Sequence, residues 1–129
     1  MIVVDSSALL AIIFREPEHD RILERLIGED GAGIPAPTLL EASIVASSRL
    51  GRDASALIHN LLEELEIAVI PFDERHARSA LSAWLRFGER RHPADLNFGD
   101  CIAYAVAQRA GMPLLCVGGD FPRTDLELA

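Results

Sequence analysis

Four carboxylates stand beside short apolar runs in this chain: Asp5 after Ile2-Val3-Val4, Glu41 in the opening turn of a helical segment, Asp100 at the start of another, and Asp120 just past Leu114-Leu115-Cys116-Val117. Carboxylates gathered within a few ångströms cannot all stay ionised unless a cation neutralises them. The matching ion is hard, oxygen-seeking and content with few protein ligands plus water, which points to Mg²⁺ or Mn²⁺. A cluster of this kind, with no histidine or cysteine among its ligands, suits hydrolysis of phosphodiesters: the ion activates water, orients it and offsets charge on the phosphate. Each acid also has a plain structural use. Asp5 can cap a helix beginning at Ser6, Thr38 to Glu41 fits a capping box, and Asp100 complements a helix dipole with Asn97 as the cap. Asp120 can be a turn residue after Gly118-Gly119. Their joint placement is what argues for a site.

The elements that must position these acids follow from apolar periodicity and breakers. Ile2 to Val4 reads as a buried strand ending at Asp5, and Ser6 to Phe14 as a helix. A second helix opens at Glu16-Pro17-Glu18, carries Ile22, Leu23, Leu26 and Ile27 at helical spacing, and closes at Gly28 and Gly31. Gly33-Ile34-Pro35 is a weak strand, followed by a helix from Pro37 to Leu50. Gly51-Arg52-Asp53 breaks the chain before a helix over Ala54 to Leu65. Ile67 to Ile70 is a strand stopped by Pro71, and Asp73 caps a helix through Trp84 and Phe87. Arg90 to Asn97 is a polar loop, Gly99 to Ala110 a helix, and Leu114 to Val117 a last strand before an irregular tail. Short apolar strands alternating with helices predict one α/β domain over residues 1–129, a parallel sheet with helices on both faces. All strand C-termini of such a sheet share one edge, and ligands bind there, where strand order reverses.

Composition narrows the chemistry. The chain has 129 residues, 12 of them basic against 20 acidic, for a net charge of −8, which opposes broad adhesion to nucleic acid or anionic membrane. All the basic residues are arginine. Without lysine there is no P-loop, and phosphate-handling folds that place a lysine beside the phosphoryl group are disfavoured. Haloacid-dehalogenase-like phosphatases also want an aspartate where Ser7 stands. The longest apolar run, Ala8 to Phe14, is far short of a membrane span of ~20 residues and has no basic leader, so a cytoplasmic, soluble protein is expected. Cys101 and Cys116 lie in apolar segments and are expected to be buried and unpaired. Arg86, Arg90, Arg91 and His92 either steer a polyanion toward the acids or form a solvated charge run. His19, His59 and His76 read as surface residues, Trp84 and Phe87 as a packed helix face, and Tyr104 as core, with its hydroxyl near the site as the alternative.

The segments around the acids resemble the VapC-type toxin ribonucleases of the PIN-domain family. Residues 2–11 (IVVDSSALLA) resemble that family's opening strand and aspartate, 36–41 (APTLLE) its glutamate segment, 96–105 (LNFGDCIAYA) its third acidic motif, and 114–121 (LLCVGGDF) its closing strand and acidic loop. The resemblance spans essentially the whole chain and is most specific in the third motif. It implies a PIN-like domain and a Mg²⁺-dependent endoribonuclease. Asp5 and Asp100 would be metal ligands, and Glu41 and Asp120 would complete the acidic pocket. It further implies a VapB-like antitoxin whose C-terminal segment covers the site, and a homodimer. One departure stands out: many relatives carry the fourth acid nearer the strand, at the place of Gly118. The role falls to Asp120 or Asp125, with Asp120 preferred because it is closer to the strand end. Two other readings remain at this point: a degenerate PIN-like domain that only binds a protein partner, and a metal-dependent small-molecule phosphatase.

Overall fold

The computed structural model describes residues 1–129, and in it the strands are β1 (Ile2–Val4), β2 (Ala32–Pro35), β3 (Ile67–Ile70) and β4 (Leu114–Leu115). The helices are α1 (Ser6–Ile13), α2 (His19–Ile27), α3 (Ala36–Leu50), α4 (Ser55–Glu64), α5 (Glu74–Phe87) and α6 (Phe98–Ala110). The sheet order is β3-β2-β1-β4 and every pairing is parallel. The chain therefore runs outward from β1 through β2 to β3, then returns to place β4 on the other side of β1. Strand order reverses between β1 and β4, and the crevice at their C-terminal ends is where Asp5 emerges.

Alternation along β1 explains why both sheet faces are covered. Ile2 and Val4 join one apolar core with residues of α1 to α4, while Val3 joins a second core with α5 and α6. Burying an aliphatic side chain completely is worth about 1.5–3 kcal/mol, and Ile2, Leu9, Ile22 and Ile34 are all wholly enclosed. Such cores hold the strands in register, and register fixes which side chains reach the edge.

Helix starts follow the expected chemistry in two places that matter for the site. Asp5 caps α1, accepting from the Ser7 amide. Asn97 and Asp100 form a reciprocal capping box on α6, each side chain accepting from the other's backbone N–H, at 2.9 and 3.0 Å.

Several expectations are corrected. Residues 17–18 form a turn, and α2 begins at His19 with Glu18 as cap. Thr38 is not an N-cap: it lies inside α3, 2 % exposed, and its hydroxyl has no partner. That leaves Glu41 without the capping box proposed for it. The last strand is two residues, not four, because Cys116 and Val117 already leave the ladder. The tail is not wholly irregular, since Phe121–Arg123 makes a 3₁₀ turn and Leu128 bridges back to Leu114. His76 is half-buried, stacked on Phe72 and completing the α5 capping box with Asp73.

Candidate active site

Asp5 leaves β1 at the switch point and is 4 % exposed. Its carboxylate accepts from the Ser7 backbone at 3.1 Å and from the Ser7 hydroxyl at 2.5 Å. Ser7, in the first turn of α1, thus fixes the Asp5 rotamer while its Oγ accepts from the Val117 N–H at 2.9 Å. Burial raises the Asp5 carboxyl above the ordinary range, the Ser7 bonds oppose that, and the Glu41 charge adds to the rise.

Asp100 enters from the first turn of α6. Its carboxyl is pushed up to about 6, first by burial and then by the negative charges of Asp5, Asp120 and Glu41, against the lowering effect of the Asn97 N–H. All four acids singled out in the sequence therefore share one electrostatic neighbourhood. None of the protein's ion pairs involves any of them.

Glu41 reaches the site because α3 and α6 pack together at Gly99. A methyl group built on Gly99 would stand 2.9 Å from the Cδ and Oε1 of Glu41, and closer still to its Oε2. The bare backbone of Gly99 is thus the seat of the Glu41 carboxylate. Sequence reasoning names the motif around Asp100 but misses this seat, whose signal is the glycine directly before the aspartate.

Asp120 and Asp125 differ in their surroundings. Asp120 lies in the loop after β4 and its charge registers at Asp100. Asp125 is occupied elsewhere, accepting from the Tyr104 hydroxyl and, at 2.9 Å, from Arg86. These bonds hold Asp125 below the ordinary carboxylate range, the Tyr104 bond foremost. Tyr104 itself is buried core, as expected.

The arginines placed near the site by sequence do not meet the acids. Arg91 lies over the Trp84 ring and donates to the Leu85 carbonyl. Arg86 is held by Asp125, and His92 packs edge-on against Phe87. Both cysteines are buried and unpaired, and burial pushes the Cys116 thiol up to about 12, which keeps it inert.

The donor set is all oxygen, anionic and without a counter-charge, which fits a hard divalent cation. No three acidic, histidine or cysteine side chains stand close enough together to hold a metal ion as the side chains are placed. Mutual repulsion acts to keep such carboxylates apart, and a cation is what would draw them in.

Apolar surface flanks the acids on two sides. A groove of about 580 Å³ runs between α5 and α6, past Phe72, Leu81 and Trp84. Another of about 290 Å³ lies between α3 and α6, past Leu40, Ile44 and Glu41 itself. Phe98, 83 % exposed, belongs to both.

Comparison with known proteins agrees with this geometry. Residues 2–127 match the PIN domain family. Ribonuclease VapC36 of Mycobacterium tuberculosis is 42% identical over 126 residues, covering 97% of this chain and 91% of the relative. The crystal structure of VapC20 of Mycobacterium tuberculosis, described as a toxin cleaving the sarcin–ricin loop, superposes with a TM-score of 0.81 at 18% identity, covering 100% of this chain and 98% of that one. A chain of a toxin–antitoxin complex from Klebsiella pneumoniae gives a TM-score of 0.73 at 16% identity, covering 100% and 97%. At these identities the two structures speak for the fold alone.

Proposed function

The chain belongs to the PIN-domain family, and on that footing we propose that it is a Mg²⁺-dependent endoribonuclease, the toxin of a VapBC-like toxin–antitoxin pair, acting in the cytoplasm. The observation that carries the reading is that the charges of Asp5, Glu41 and Asp120 all bear on the Asp100 carboxyl, pushed up to about 6, with no basic residue paired to any of the four. The name of the relative, a ribonuclease, supports the choice of RNA as substrate.

Asp5 and Asp100 would hold the ion, and Glu41 and Asp120 would complete the pocket. A bound divalent cation supplies Lewis acidity toward the scissile phosphate and makes the attacking water more acidic. The protein's part is preorganisation. The Ser7 hydroxyl locks Asp5, the capping box locks Asp100, and Gly99 gives Glu41 its seat. Groups held this firmly need little rearrangement in the transition state.

The surroundings of the acids support the partner reading. Apolar grooves bordering a negatively charged crevice suit an antitoxin segment that is apolar along one face and carries an arginine for the carboxylates. Exposed Leu81, Leu85, Leu40 and Ile44 also leave apolar surface for a homodimer.

The test uses RNA and a phosphomonoester, each with and without Mg²⁺, with Asp100→Asn as the control. Internal RNA cleavage that needs Mg²⁺ and is lost in the variant is the expected result. Phosphate release from the monoester alone would move the assignment to a phosphatase. Inertness toward both would leave a protein-binding module.

A further inference from the structure

The sheet's support for β4 ends at Leu115, whose carbonyl accepts from the Asp5 N–H at 2.9 Å. The next free peptide unit, joining Cys116 to Val117, lies beyond the ladder, yet both its polar atoms are held by side chains. Its carbonyl accepts from Arg21 Nη2 at 3.0 Å, and its N–H donates to Ser7 Oγ at 2.9 Å. Arg21 is anchored in turn, its Nε donating to Glu18 at 2.6 Å. Ser7 passes the restraint to Asp5 at 2.5 Å.

The residues after this peptide make the clamp consequential. Gly118, at φ +109°, and Gly119 have open space around them, and Asp120 comes next. Two glycines in open space impose no direction of their own. The loop that carries Asp120 is thus held at its two ends, by this peptide before the glycines and by the 3₁₀ turn with buried Phe121 after Asp120. Among the arginines, Arg21 alone is bonded to this edge of the sheet.

We propose that Arg21 is a positioning residue for Asp120. Through the Cys116 carbonyl it fixes the peptide from which the Gly118-Gly119 loop departs, opposite the Ser7 hydroxyl that fixes the same peptide and Asp5. This rests on the nuclease reading of the site, and the test keeps the two apart. Arg21 acts at a distance and touches neither RNA nor ion.

The experiment is a double-mutant cycle on the full chain: Arg21→Met, Asp120→Asn and both together. Arg21→Met should lower single-turnover RNA cleavage by about 10- to 100-fold, the scale of a misplacement near 1 Å, with RNA affinity unchanged. In the Asp120→Asn background the same substitution should cost less than about twofold. Glu18→Gln, which keeps the guanidinium but loosens its anchor, should give the same pattern at smaller amplitude. An equal loss in both backgrounds overturns the proposal. So does a loss confined to RNA affinity with a flatter salt dependence, which would make Arg21 a phosphate contact. Titration with Mn²⁺ alone supplies the readout that does not need turnover. Arg21→Met should weaken Mn²⁺ binding severalfold, with no further weakening once Asp120 is Asn. If the unmodified protein leaves RNA intact while this pattern in Mn²⁺ binding holds, the nuclease reading fails and the clamp stands. Mn²⁺ binding unchanged by Arg21→Met overturns the clamp.

Discussion

Adding one methyl group to the active site, as Gly99→Ala, should separate stability from activity. The new carbon would lie 2.9 Å from Glu41 Oε1 and Cδ and closer still to Oε2, whereas ordinary contact between such atoms needs about 3.5 Å. The carboxylate must therefore move by about 1 Å to restore that spacing. It can do so, because it is the end of a flexible side chain and not backbone. The helix has no reason to suffer: Gly99 is the second residue of α6 and its φ is not positive. Replacing glycine by alanine at a compatible position stabilises by about 0.4–1 kcal/mol, through the unfolded chain. The melting temperature should hold or rise by about 1–5 °C. Displacing a catalytic group by about 1 Å costs on the order of 100-fold in rate, so single-turnover RNA cleavage at saturating Mg²⁺ should fall by about that factor. In a Glu41→Ala background, where nothing occupies the seat, the same substitution should be silent. Full activity with an unchanged melting point would refute the claim that the seated position of Glu41 matters. A clear loss of stability would show that α3 or α6, and not the side chain, had yielded.

The remaining expectations test the electrostatics, the fourth acid and the arginine loop. The carboxyl of Asp100 is raised from 3.8 to about 6, and that of Asp5 is raised as well, so between about pH 4 and 6 these two groups bind more protons in the native state than in the unfolded chain. The lowered carboxyls of Glu29, Asp53, Asp73 and Asp125 act oppositely in wild type and variant alike, so the stability of the metal-free protein relative to Asp100→Asn should increase as pH falls from about 7 toward 4; paired melting curves check the sign, and a relative decline would refute the reading. Asp120→Asn should impair cleavage with little change in melting point, whereas Asp125→Asn should lower the melting point by removing the charge and one of the two oxygens that accept from Tyr104 and Arg86, while sparing the rate; the reverse order, from paired melts and rate measurements, would exchange their roles. Replacing Arg90 and Arg91 together by alanine should weaken RNA binding and reduce its salt slope by roughly one for each phosphate no longer engaged; unchanged binding would identify the loop as a solvated charge run.

How much of the fold and site is legible in the sequence depends on whether the signal is local. The strand of Ile2 to Val4 and the caps at Asp5, Asp73 and Asn97 are readable because each rests on neighbours within a few residues. The convergence of the acids is readable from topology, since parallel strands share one carboxyl edge. Local signals mislead where apolarity is mistaken for a ladder. Cys116 is apolar because it is buried in the core with α5 and α6, and Val117 because it packs against the core on the other face, yet only Leu114 and Leu115 pair with β1. Thr38 and Glu41 have capping-box spacing, but the chain turns helical at Ala36, so the threonine falls inside the first turn. Arg21 reads as the polar side of an amphipathic helix, and its bond to Cys116 spans 95 residues. The seat of Glu41 on Gly99 likewise depends on how α3 meets α6, which no periodicity encodes.

The distribution of charge links the fold to the chemistry. Several acids outside the site are matched by cations: Glu18 with Arg21, Glu29 with Arg25 and the N-terminus, Asp73 with Arg75, Glu74 with Arg78, and Asp125 with Arg86. Asp5 and Asp100 are left without a cationic partner where burial makes a lone charge costly, with half-buried Glu41 and exposed Asp120, also unpaired, beside them. Folding alone would favour an arginine or an apolar residue there, as at the chain's other half-buried acids. The cost is tolerable because the cores on both faces of the sheet hold the strand ends where they are, whatever the carboxylates prefer. A site kept in electrostatic deficit by its scaffold gives up that deficit to whatever cation enters. On the proposed function, the same four acids would suit a divalent ion during catalysis and the guanidinium of an antitoxin at rest, and the two would compete for one place.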